Sequence, residues 1–96
     1  MGAVFLSRVP VNMQIRNNKF HYRRRIPIDL VPLFGRKEIT KSLATSDVRK
    51  ATRLSNYYDG QLEILFYACR FNSISPDSAK IQLKAIFTPE GVKNFV

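Results

Sequence analysis

Residues 13–27 read MQIRNNKFHYRRRIP, and the fold turns on how they are read. Met13, Gln14, Ile15 and Arg16 alternate apolar and polar, the period of a half-buried strand. Asn17-Asn18-Lys19 is a turn signal, because Asn tolerates the left-handed backbone of a tight hairpin. Alternation resumes from Phe20 to Ile26, and Pro27 ends the run because it lacks a ladder donor. The stretch therefore predicts a β-hairpin. Three consecutive arginines usually mark a solvated face or a tail. Here Phe20, Tyr22 and Ile26 surround them, which suits an ordered strand.

Outward from the hairpin, Asp29 to Phe34 predicts one helical turn, kept short by Pro32 and released by Gly35. Lys37 to Leu43 alternates again and predicts a third strand. Ala44-Thr45-Ser46-Asp47 is a helix start, with Thr or Ser as N-cap and Asp near the positive helix end. A helix from about Val48 to about Phe71 follows. Ala51, Leu54, Tyr58, Leu62, Leu65 and Cys69 recur at spacings of three and four, the stripe of an amphipathic helix. Tyr57, Ile64, Tyr67 and Phe71 make a second stripe, so the helix is expected to serve two partners. Gly60 lies mid-helix and weakens it by about 1 kcal/mol relative to Ala. Ser75-Pro76-Asp77 opens another helix, with Ser as cap and Pro at the first helical position. Ala79, Leu83, Ile86 and Phe87 give that helix an apolar side. Residues 1–11 read as an apolar lead-in ended by Pro10, and Thr88-Pro89-Glu90 as the start of a further helix.

The expected fold class is α+β: a small three-stranded antiparallel sheet packed on a long helix, followed by a helical extension. Residues 1–73 are expected to form the sheet-plus-helix domain, and 74–96 the start of a helical segment that looks cut off. At 96 residues, 45% of them hydrophobic, the core must be thin. Cys69 is alone and falls in the apolar stripe, which suits a buried thiol. One His and one Cys give no metal-ligand spacing, and no metal or cofactor is expected. No apolar run approaches the ~18 residues of a membrane span, and the start lacks a signal-peptide pattern. A cytoplasmic protein with no membrane partner is the expectation.

The net charge of +9 is confined to one part of the chain. Residues 1–58 hold 12 Lys/Arg against 3 Asp/Glu, whereas residues 59–96 hold 4 of each. A one-sided excess points to a polyanionic partner, with nucleic acid ahead of an anionic membrane. Side chains alternate across a strand. Phe20, Tyr22, Arg24 and Ile26 should face the helix with Met13, Ile15, Ile39 and Leu43. The other face collects Gln14, Arg16, His21, Arg23, Arg25, Thr40 and Ser42. Lys19, Arg36 and Lys37 flank it in turns, while Arg24 and Lys41 are expected to reach it from the margin. Arg reads guanine bidentately, Gln reads adenine, and Ser or Thr bind phosphate or base edges. Double-stranded DNA is the expected partner of this set. The alternative is a protein-interaction or oligomerisation module that docks by its helices. An enzyme is not expected: no paired carboxylates, Gly-rich phosphate loop or triad spacing is present.

The stretch FHYRRRIPIDLVPLFGRKEITKSLATSDVRKATRLS, residues 20–55, resembles the N-terminal region of phage-type integrases, the tyrosine recombinases. That region typically reads as an aromatic, Arg-Arg-Arg-Ile/Val-Pro, Asp-Leu, Gly-Arg-Lys-Glu-Ile, Ser-Leu-Gly-Thr-Ser-Asp, then a helix opening with Arg and Ala. Here these are Tyr22, Arg23 to Pro27, Asp29-Leu30, Gly35 to Ile39, Ser42 to Asp47, and Ala51. Ala44 replaces the common Gly, a departure expected to tighten the turn. The resemblance implies a non-catalytic sheet-plus-helix module that helps an integrase hold DNA in a bacterial host cell, at the nucleoid when bound. It implies a helical core-binding domain next in the chain, and other integrase domains or protomers as further partners. The catalytic domain of that family has no room in this length, so a truncated integrase, an expressed fragment or a domain with a separate life is expected.

Overall fold

The computed structural model describes residues 12–88. The lead-in expected over residues 1–11, and the further helix expected to open at Thr88-Pro89-Glu90 beyond Thr88, lie outside the described residues. Strands β1 (Met13–Arg16), β2 (Lys19–Arg25) and β3 (Glu38–Ser42) form one antiparallel sheet in the order β1-β2-β3. A 3-10 turn (Ile28–Leu30) and a short helix α1 (Val31–Phe34) link β2 to β3. The long helix α2 (Val48–Phe71) lies over one face of the sheet, and α3 (Pro76–Ile86) packs beside it. The fold is α+β, as the alternation and helical stripes predict.

Local chemistry explains each joint. Asn17 and Asn18 both take the left-handed conformation, with φ 51° and 64°, and close the hairpin. Gly35 ends α1 at φ 71°, where any Cβ is strained, and its N–H donates to Val31 O. Asp47, not Thr45 or Ser46, caps α2 by accepting from the Arg49 N–H. Thr45 Oγ1 instead accepts from the Asp47 N–H and fixes the turn before the cap. All three residues are competent caps, and backbone position decides between them. Ser75 caps α3 with Pro76 behind it, as the sequence predicts.

Ala44 sits at φ 53°. Phe20 accepts from the Leu43 N–H but donates its own N–H to Thr45 O, so the chain gains a residue at the end of β3. The geometry resembles a bulge whose extra residue must be left-handed. Gly would take this conformation without strain, so Ala44 strains the turn rather than tightening it. Ala44→Gly is expected to stabilise the domain by ~0.5–1 kcal/mol, since relief of the left-handed strain exceeds the added unfolded-chain entropy. Urea unfolding checks this through a raised midpoint at unchanged slope. An unchanged or lowered midpoint removes the strain argument.

The core lies between the sheet and α2. Phe20, Tyr22, Ile26, Ile39 and Leu43 meet Ala51, Leu54, Tyr58, Leu62, Leu65, Phe66 and Cys69. Burying a large apolar side chain contributes about 1.5–3 kcal/mol, so these contacts hold the sheet to the helix. Tyr22 packs on Tyr58 at 5.3 Å, and Phe34 meets Phe66 edge-on at 5.8 Å between ring centroids. Burial pushes the Cys69 thiol pKa up, consistent with an inert packing residue. The boundary expected at residue 73 is crossed by core contacts. Ala79 and Leu83 of α3 belong to the same buried cluster, and Phe87 lies 4.6 Å from Tyr58 between centroids.

Ile15 departs from expectation. It pairs with Phe20 on the helix-facing side, yet remains 63% exposed. The helix contacts the sheet chiefly through β2, so the hairpin tip overhangs its cover.

Candidate nucleic-acid interface

The ladder register assembles the outer sheet face in rows. Gln14, His21 and Ser42 lie side by side across the three strands. Arg23 stands opposite Thr40, Arg25 opposite Glu38, and Arg16 opposite Lys19 at the hairpin end. Directly opposed residues share a face, so all of these project away from α2. No described helix covers them. Arg16, Lys19, Arg23, Arg25, Thr40 and Ser42 are exposed, and Gln14 and His21 are half-buried. Arg36 and Lys37 are exposed in the turn before β3, and Lys37 O accepts from the Ile26 N–H at the far end of β2. Arg25 and Lys37 line an open depression there with Pro27, Ile28 and Val31.

Glu38 is the carboxylate of this face. Although it stands opposite Arg25, it pairs diagonally with Arg23: Nε donates at 3.0 Å and Nη2 lies 2.9 Å away, both at Oε2. Both side chains are well exposed, so the pair stabilises the domain little. Its consequence is local: Arg23 is partly neutralised, while Arg25 keeps its charge for an outside partner.

Arg24 does not belong to this face. It lies on the helix side of β2, where Nη1 donates to Asp59 Oδ1 at 3.1 Å and Nη2 donates to Glu63. Its guanidinium carbon also sits 5.5 Å from the Phe66 ring centroid. Burial opposes its charge, but the bonds to Glu63, Tyr22 and Asp59 outweigh that and hold its pKa above the ordinary value. Arg24 is therefore a tie between sheet and helix. Lys41 stands opposite Tyr22, also on the helix side, and is exposed because β3 is an edge strand. Neither residue shares the surface of Arg23 and Arg25.

The sequence reading passed over three further cations. Arg49, Lys50 and Arg53 are exposed in the first turns of α2, where the Asp47 cap is the acidic group at the positive helix end and the first turn itself holds none. The Phe20–Thr45 bond places that end of α2 beside the hairpin end of the sheet. The signal was available: basic residues at a helix N-terminus oppose the helix dipole, so packing and propensity do not favour them there.

Residues 12–71 match a family described as a domain of unknown function, DUF6538. The chain belongs to this family. The matched span runs from the residue before β1 to the last residue of α2, so the family unit comprises the sheet, both of its faces and the helix behind it. No curated protein and no solved structure matches the chain. Among the described residues no helix is long and apolar enough to cross a membrane, and no group of three or more His, Cys, Asp or Glu side chains could hold a metal ion.

Proposed function

We propose that the chain is a DNA-binding module that grips the duplex through the bare face of its sheet, contributing binding rather than catalysis. The observation that carries this reading is the uncovered row structure of that face. Arg16, Lys19, Arg23 and Arg25 stand on it with Gln14, His21, Thr40 and Ser42, and Arg36 and Lys37 extend it at one end. Arg16 and Lys19 stand directly opposite each other, and such a like-charge pair disfavours folding, so a sheet without an anionic partner gains nothing from it. A sheet can lie in the major groove with Arg and Gln reaching base edges while turn cations hold phosphates. The resemblance of residues 20–55 to integrase N-terminal regions supports the same reading and, with it, a phage-type integrase of a bacterial host as the parent protein.

Fluorescence anisotropy of a labelled random duplex tests it. Binding is expected at ~50 mM salt and should fall steeply by ~200 mM, as counterion release requires. No binding at the lower salt would leave the arginines as surface charge and sink the reading.

A further inference from the structure

We propose that two copies of this chain pair antiparallel through the outer side of α2. The seam is Gly60, Ile64, Tyr67 and Phe71, at successive spacings of four, three and four. That is the repeat of a helix packing against a second helix, with apolar positions every 3.5 residues on average. It lies on the side of α2 opposite the stripe buried against the sheet. Ile64, Tyr67 and Phe71 are 65%, 64% and 67% exposed, although each is large and apolar. Tyr67 and Phe71 already stack on each other at 4.5 Å between centroids.

Gly60 supplies an independent observation. A Cβ built there meets nothing within 4 Å, and its φ is not left-handed. Neither backbone conformation nor packing among the described residues accounts for a helix-weakening residue at this position. Close approach of a second backbone does account for it.

Charge selects both occupant and direction. Glu63 and Arg70 flank the seam on one side, seven residues apart. In an antiparallel pair centred between Ile64 and Tyr67, Gly60 faces Phe71 of the second copy and Ile64 faces its Tyr67. Glu63 then lies beside Arg70 of the second copy, and the contact repeats by two-fold symmetry. Glu63 and Arg70 already pair within the chain, with Arg24 and Asp29, so the crossing contacts join existing ion pairs. A parallel pair loses this match and sets the Arg49, Lys50 and Arg53 clusters against each other. The antiparallel pair puts those clusters at opposite ends. The seam and the basic sheet face are opposite surfaces of a two-layer fold, so the dimer carries its two basic faces outward.

Sedimentation velocity of the 96-residue chain without DNA tests the pairing. A monomer–dimer equilibrium is expected as concentration rises, lost in Ile64→Glu and in Gly60→Leu. Circular dichroism should show both variants folded, because both positions face solvent in the monomer. Direction is read by oxidation, with buried Cys69 left in place. A mixture of Gly60→Cys and Phe71→Cys chains should cross-link far faster than either chain alone. Monomer at every concentration overturns the proposal. Rapid self-cross-linking of Gly60→Cys overturns the antiparallel arrangement.

Discussion

Asp59→Ala is expected to destabilise the domain by ~3 kcal/mol, a large share of the total for a chain of this size. One oxygen of Asp59, Oδ1, accepts from three side chains, two on β2 and one just before β1. The Tyr22 hydroxyl donates at 2.5 Å, Arg24 Nη1 at 3.1 Å and Asn12 Nδ2 at 3.0 Å. Tyr22 is fully buried, so its hydroxyl has no water to turn to when the carboxylate is removed. An orphaned buried donor costs ~1–3 kcal/mol. Arg24, with only 17% of its side chain exposed, loses one of its two counter-charges and keeps exposed Glu63. The two losses together set the magnitude. Asp59→Asn retains an acceptor for Tyr22 and loses only the charge, so about half the effect is expected. Urea unfolding followed by circular dichroism measures both. A loss below ~1 kcal/mol for Asp59→Ala would show that the three bonds do not act as a buried unit.

The same site gives the domain an alkaline limit. Burial first, then the bond to Asp59, pushes the Tyr22 phenol well above its ordinary pKa. The folded state therefore binds this proton more tightly than the unfolded chain does. Its contribution is fully present below the unfolded value of ~10 and is lost as pH rises through the folded value. Stability should fall above pH ~10 in the native chain and fall less steeply in Tyr22→Phe.

Arg24 shows how far the sequence reads and where it stops. Alternation along β2 puts it on the helix side, and the structure agrees. What it does there depends on Asp59 and Glu63, 35 and 39 residues further on, and no local pattern links those positions. Within the run it is chemically identical to Arg23 and Arg25, so counting charge enrols it in the outer basic face. Glu38 shows the complementary gap: its face is legible from the strand period, but its diagonal choice of Arg23 over Arg25 is made by side-chain reach. The hairpin, the ends of α2 and the exposed Ile64, Tyr67 and Phe71 of its second stripe were legible because turn residues, caps and helical spacing are local, whereas Tyr57 of that stripe packs against the core instead. The exposure of Ile15 was not, because the period assigns a face and is silent on how far the helix covers it. Ala44 lies between these cases. The integrase-like pattern marks the position, and only the backbone angle supplies the reason.

Arg16, Lys19 and Arg25 give the sharpest test of the bare face, because no carboxylate among the described residues pairs with any of them. Replacing all three by Gln removes three candidate phosphate contacts, and each contributes a salt slope of about 0.9. Their joint contribution grows as salt falls below ~1 M, so duplex affinity should drop about a thousandfold at ~50 mM and about a hundredfold at ~200 mM. The slope itself should flatten by about 3. Two further variants separate this from a general effect of charge. Glu38→Gln removes the carboxylate of the face and releases Arg23, so it should tighten binding several-fold and steepen the slope by up to about 1. Arg24→Met removes the same charge as any single arginine change, but behind the sheet. It should lower the urea midpoint while leaving the salt slope of the folded protein unchanged. If the triple variant kept its slope, or if Arg24→Met flattened it as much as Arg25→Gln does, the duplex would lie elsewhere. The exposed Arg49, Lys50 and Arg53 at the start of α2 would then be the next cations to remove.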